Sequence, residues 1–254
     1  MSKHKYNWRP DLPDMRDWKY AAPRVRGLPT AVNLSHRIPL PVFDQGDLGS
    51  CTGNATATAF MYADMKNAKK PGTITPSRLF LYYNGRDYEG TTAWDAGAEI
   101  RDVVKGAHNK GACTEAKWTY NINKFATKPP AGAYTQALSH QVLSYHRVDN
   151  TSLGQMRGCL ASGWPFIFGF TVYESFESPE VEATGRVPMP GQDEAVLGGH
   201  AVVAMGYYDK DRTFWVQNSW GTEWGHRGFF YLPYEYLLNE DLASDCWTLR
   251  TVEE

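Results

Sequence analysis

No stretch of this chain approaches the roughly 20 consecutive apolar residues that a membrane helix needs, so no spanning segment and no membrane partner are expected. The start, Met1-Ser2-Lys3-His4-Lys5, is basic, but no apolar core follows it. No secretory signal is read there, and a cytoplasmic or otherwise signal-free location is the expectation. Cysteine is scarce: Cys51, Cys113, Cys159 and Cys246 are all there is, and none forms a C-x-x-C pair. A structural zinc site is therefore not expected, the histidines show no metal-ligand spacing, and no metal or cofactor is called for. Neither sign of charge dominates. With 26 basic and 28 acidic residues the formal net charge is -2, which gives no electrostatic footprint for nucleic acid. Internal repeats and low-complexity tracts are missing as well.

What is present is enough for a substantial core. The chain has 254 residues, 42% of them hydrophobic, and nine Trp. Such rings fill cores and line grooves that grip extended ligands. Three N-x-S/T sequons stand at Asn33, Asn54 and Asn150. A glycan on Asn54 would crowd the helix start described below, which favours a compartment without N-glycosylation.

Residues 1–27 are polar, proline-bearing and weakly patterned, with Trp8, Leu12, Trp18 and Tyr20 as apolar points; they read as an N-terminal arm on the body. Residues 28–50 read as irregular. A helix is predicted from Cys51, capped by Ser50 and stopped at Pro71-Gly72 beyond Lys66, Lys69 and Lys70. A second is predicted to open at Thr75-Pro76. A third covers about 97–110, with Ile100, Val103, Val104 and Ala107 on one stripe, and a short one lies near 152–162. After residue 163 the pattern turns to strands: Trp164–Tyr173, His200–Tyr208, then Thr213–Asn218 after a hairpin loop at 209–212, and Gly228–Leu232. Helices first and strands later point to an α+β fold with a helical lobe, a β-rich lobe and a cleft between them.

Three segments carry the chemistry. In Gln45-Gly46-Asp47-Leu48-Gly49-Ser50-Cys51 a thiol sits at a helix N-terminus, where unpaired N–H groups and the positive end of the dipole favour thiolate and can stabilise an oxyanion. In Gly198-Gly199-His200-Ala201 a histidine enters an apolar strand after two glycines that open space beside it. In Trp215-Val216-Gln217-Asn218-Ser219-Trp220-Gly221 an amide at a strand end can hold one imidazole nitrogen while the other faces the thiol, with Trp220 shielding that bond from water.

Together these segments resemble the papain-like cysteine peptidases. Gln45 precedes Cys51 by six residues, Gly-Ser stands directly before the cysteine, and the run from Asn218 to Phe229 reads N-S-W-G-x-x-W-G-x-x-G-F. The resemblance spans roughly residues 28–232. It implies a two-lobe fold over residues 28–254 behind the 1–27 arm, with the helical lobe at about 45–150 and the β-rich lobe at about 151–254 plus 28–44. It also implies a thiol protease. Cys51 would attack the scissile carbonyl, His200 would take and return the proton, Asn218 would orient His200, and Gln45 would donate to the oxyanion. Gly97, Gly199 and Trp220 would contact a protein or peptide substrate in extended conformation. A same-fold acyltransferase or ligase, or a binding protein with a decayed site, is the alternative.

The departures from the family pattern are specific. Leu48 and Thr52 replace the usual Cys and Trp or Tyr, and Ala93-Trp94-Asp95-Ala96-Gly97 replaces Gly-Cys-x-Gly-Gly, so the helical lobe lacks the family's usual disulfide. Cys113, Cys159 and Cys246 read as small buried residues, with a disulfide between two of them left open. In place of a long inhibitory pro-segment stands the 27-residue arm, for which two readings stay open: a segment lying in the groove, or a partly disordered tail. Side-chain preference and oligomeric state are not encoded in any motif.

Overall fold

The computed structural model describes residues 4–22, 27–67 and 74–252. Its centre is α1, Cys51–Asn67, which is buried on every face from Cys51 to Asp64. Small residues permit this: a Cβ on Gly53 would lie 2.8 Å from the Arg78 carbonyl, so only glycine lets the next helix come this close. A helix without a polar face belongs inside a domain. The predicted stop, with Lys69, Lys70 and Pro71-Gly72, lies outside the described residues.

Helix α2, Arg78–Glu89, starts later than Thr75-Pro76 suggested. Pro76 forms an isolated bridge with Thr114, and Ser77 is the cap, its Oγ accepting the Phe80 N–H at 3.1 Å. Helix α3, Ile100–Asn109, buries the predicted stripe of Ile100, Val103, Val104 and Ala107. A short α4, Ala131–Ala137, completes this side.

The other side is one antiparallel sheet with strand order β2-β7-β3-β4-β5-β6, and β1 (Ala31–Asn33) paired on β4. Strands β3 (Phe166–Tyr173), β4 (Val196–Tyr208), β5 (Thr213–Gln217) and β6 (Phe229–Pro233) follow the sequence expectation closely. Strands β2 (Val142–Arg147) and β7 (Ala243–Val252) were not anticipated, nor was β1 inside the irregular 28–50 segment. The short helix read near 152–162 is α5, Leu153–Ala161, and two further short helices are α6, Pro179–Thr184, and α7, Tyr234–Leu238. Helix α1 packs against β4 and β7, so its first residue faces the sheet across the cleft.

All four cysteines are free and buried. The side-chain amide N–H groups of all three sequon asparagines are engaged: Asn33 on the Tyr208 hydroxyl, Asn54 on Ser50, and Asn150 on the Leu237 and Ala243 carbonyls. Among the described residues no helix is long and apolar enough to cross a membrane, and no group of His, Cys, Asp and Glu could hold a metal ion.

Candidate active site

Cys51 is the first residue of α1, where backbone N–H groups have no carbonyl one turn earlier to bond. The loop that delivers it is tied down at both ends. The Gln45 N–H donates to the Ser219 carbonyl at 2.9 Å, and the Tyr120 hydroxyl donates to the Gln45 carbonyl at 2.8 Å. Ser50 Oγ meets the Tyr120 hydroxyl at 2.5 Å and the Asn54 amide at 3.0 Å. Backbone N–H groups of Ala201, the residue after His200, and of Thr52 and Asn7 act on the Cys51 sulfur. Those groups favour thiolate, but burial outweighs them and pushes the thiol up to about 11.

His200 stands on β4 opposite Phe170 of β3 and is fully buried. Its Nε2–H donates to Asn218 Oδ1 at 2.8 Å. That oxygen also accepts the Ser219 N–H at 2.8 Å, which fixes the amide so that its oxygen faces the imidazole. The Trp220 ring stacks on His200 at 4.9 Å and 22° and covers the bond. The other ring nitrogen, Nδ1, is buried without a hydrogen-bond partner. Burial depresses the imidazole to about 4; the Asn218 bond opposes this, and nearby His4 adds to it.

Gln45 is held in one orientation. The Ser219 hydroxyl donates to its Oε1 at 2.7 Å, so Nε2 points the other way, toward the Leu48 carbonyl at 3.0 Å and the Lys5 carbonyl at 3.5 Å. The structure therefore brings Gln45, Cys51, His200, Asn218 and Trp220 to one place, across the junction of α1 with the sheet. Gly97 and Gly199 flank it on the two walls.

Those walls are not empty. Residues 4–9 run through the cleft. His4 stacks on Trp220 at 3.8 Å and 6°, and the edge of Tyr6 meets His200 at 5.9 Å. Asn7 bridges Gly199 and Trp8 bridges Ala98, both in parallel sense, and the Trp8 N–H donates to the Gly199 carbonyl at 2.8 Å. The glycines make room. A Cβ on Gly97, whose φ is +72°, would lie 1.6 Å from the Asn7 carbonyl oxygen, and one on Gly169 would lie 1.9 Å from the Trp8 ring. The indole is 6% exposed. The Tyr6 carbonyl oxygen lies beside Gly198 and the Asn7 carbonyl oxygen beside Gly97.

Past Pro10 the arm is fastened differently. The Asp11 carboxylate accepts from Arg147 at 2.7 Å and from Trp247 Nε1 at 2.8 Å, and the Asp11 N–H donates to Asp245 at 2.8 Å. Asp17 joins Arg101 at 2.8 Å and Arg147 at 2.9 Å. The Tyr20 N–H donates to the Arg147 carbonyl, and the Arg147 N–H to that of Trp18, at 2.7 and 2.8 Å. Burial and the neighbouring Asp245 carboxylate push Asp11 up to about 7, against the pull of Trp247, Arg147 and the Arg101 N–H.

Sequence reasoning missed a carboxylate. Asp95 accepts from the Gly49 N–H at 3.0 Å and from the Tyr82 hydroxyl at 2.5 Å, and the Gly97 N–H donates to that same hydroxyl at 3.1 Å. This tie joins the nucleophile loop, α2 and the Gly97 loop where the resemblance implies a disulfide. The only signal was the departure itself, an acid within Ala93-Trp94-Asp95-Ala96-Gly97.

Comparison with known proteins identifies the family. A model of the papain family of cysteine proteases matches residues 28–240. An uncharacterized peptidase C1-like protein of Acanthamoeba polyphaga mimivirus is 44% identical over 222 residues, 85% of this chain and 71% of that protein. The crystal structure of xylellain, a cysteine protease from Xylella fastidiosa, superposes with a TM-score of 0.92 at 38% identity, covering 98% of this chain and 96% of that one. A Carica candamarcensis cysteine protease solved with E-64 shares the fold, with a TM-score of 0.64 at 17% identity over 89% of this chain and 100% of that one. On these matches the chain belongs to the papain family of cysteine proteases.

Proposed function

We propose that the chain hydrolyses peptide bonds through a Cys51–His200–Asn218 site and a thioester intermediate. The observation that carries this reading is the His200–Asn218 bond of 2.8 Å beneath Trp220. It leaves Nδ1 as the ring nitrogen without a partner, on the residue next to the one whose N–H meets the Cys51 sulfur. With a peptide in the cleft, His200 draws the proton from Cys51, and the sulfur attacks the carbonyl carbon. The oxyanion is held by the Cys51 N–H and by Gln45 Nε2, which Ser219 has already turned into place. His200 then returns the proton to the leaving amine, and water releases the acid from the thioester. Asn218 keeps the imidazole in the required tautomer throughout. Gly97 and Gly199 pair with substrate backbone, and the space that Trp8 fills takes a large apolar side chain.

The resting chain is latent in this reading. With residues 4–9 in place the thiol is held near 11 and the imidazole near 4, so the pair rests as neutral thiol and neutral imidazole. Lifting the arm rehydrates both groups and lets the reactive ion pair form.

The test compares peptide cleavage and E-64 labelling of the full chain carrying Trp8→Ala, with and without Cys51→Ala. Hydrolysis and labelling that both vanish with Cys51→Ala support the proposal. Hydrolysis that survives the loss of the sulfur sinks it.

A further inference from the structure

The arm displays more than a cover, because one of its side chains finds an acid inside the cleft. Lys5 presents its carbonyl to Gln45 Nε2 at 3.5 Å, and its ammonium pairs with Asp95 Oδ2 at 3.3 Å. Asp95 is well placed for such a partner. Its side chain is 13% exposed, so its charge is only partly screened by water. The Gly49 N–H and the Tyr82 hydroxyl fix the carboxylate in position, so little entropy is lost when a cation arrives. Gly49 contributes through what it lacks. A Cβ there would lie 2.2 Å from the Asn7 side-chain nitrogen, so the wall beside Asp95 is open to an entering side chain. The neighbouring Asn7 amide already uses that opening, donating to the Asp95 carbonyl at 3.1 Å.

We propose that Asp95 is a specificity-determining residue, selecting an arginine or lysine side chain on the substrate residue whose carbonyl is attacked. This rests on the peptidase reading above and deepens it. The geometry follows from the wall order. The Asn7 side chain passes Gly49 to reach the Asp95 carbonyl, and the Lys5 carbonyl lies at Gln45 Nε2, so the wall between Gly49 and Asp95 is within a side chain's reach of a carbonyl held by Gln45. When the arm leaves, Lys5 leaves with it, and the carboxylate is left half-buried in the cleft with its cation gone. A basic substrate side chain restores the charge-assisted bond. A neutral side chain forfeits it.

The experiment uses the full chain carrying Trp8→Ala, to lift the arm, and three peptides that differ only in this residue: arginine, lysine or glutamine. The kcat/KM for arginine and lysine is expected to exceed that for glutamine on the order of 10- to 100-fold. Adding Asp95→Asn is expected to bring the ratio near unity while the glutamine peptide is still cut. Equal rates on all three peptides overturn the proposal and leave the peptidase reading standing. So does an Asp95→Asn variant that slows every peptide alike and keeps the ratio, which assigns Asp95 to holding the loops together. If no peptide is cut and E-64 does not label Cys51, the peptidase reading itself falls, and this inference with it.

Discussion

The two halves of the N-terminal arm touch the same body by different physics. Residues 4–9 lie in the cleft on aromatic faces and a few backbone bonds, with the exposed cations Lys5 and Arg9 paired to the largely buried carboxylates Asp95 and Glu89. Residues 11–20 are bound through a part-buried cluster of three carboxylates and two guanidiniums: Asp11, Asp17 and Asp245 with Arg101 and Arg147. Apolar contact of the first kind is lost piece by piece. A charge cluster of the second kind fails badly when one member is removed, because the charges left behind stay buried and unpaired. The difference divides the arm near Pro10 into a loosely held cover and a firmly anchored segment.

The sharpest way to break this division is Arg147→Ala. It strands Asp11 and Asp245, and it is expected to cost about 3–5 kcal/mol of global stability, measured by denaturant unfolding of the full chain. A loss below about 1 kcal/mol would demote the anchor to surface ion pairing.

Trp8→Ala probes the other half. An indole this buried is worth about 3–5 kcal/mol when deleted, but here much of that loss falls on the cover rather than the body. The rate of Cys51 alkylation is expected to rise on the order of 100-fold, with the unfolding midpoint little changed. If the midpoint falls as far as in Arg147→Ala, the two halves act as one unit.

The anchor also has a pH signature. Asp11 is raised to about 7 when docked, above its ordinary value of 3.8, so the docked arm binds a proton that a released arm gives up. Docking strength from this group is full below about 4 and declines as pH rises through about 7. Protection factors of residues 11–20, corrected for intrinsic base-catalysed exchange, are expected to fall between pH 5 and pH 8; higher protection at pH 8 would reverse the sign. The smallest effect is that of Tyr6→Phe, which deletes one bond to Glu177 of 2.8 Å, worth about 1 kcal/mol, and is read as a several-fold rise in alkylation rate.

What the sequence made legible was local. Cys51 at a helix start, His200 after two glycines and Asn218 before Trp220 each leave a mark over a few residues, and the structure gathers them. Strand β7 left no such mark. Its Ala-Ser-Asp-Cys-Trp-Thr alternates weakly because Asp245 sits at a φ of +59° and reaches back to Asp11, a partner 234 residues away. The second helix was placed too early because Thr75-Pro76 is a good local start, and the competing bridge to Thr114 is tertiary. The path of the arm was hidden for the same reason. Nothing in His4-Lys5-Tyr6-Asn7-Trp8 is periodic, and its fit depends on a cleft built from residues 49, 97, 169 and 199.

The neutral pairing of Cys51 and His200 beneath the arm has one more consequence. In the proposed mechanism, closing the cleft moves a proton from imidazole to sulfur, so while the open pair holds one proton the closure exchanges none with solvent. A sulfur kept protonated and dry is also a poor target for peroxide, which attacks thiolate. In that mechanism the arm is also a preservative: the closed enzyme is expected to age in an oxidising medium only as fast as residues 4–9 lift.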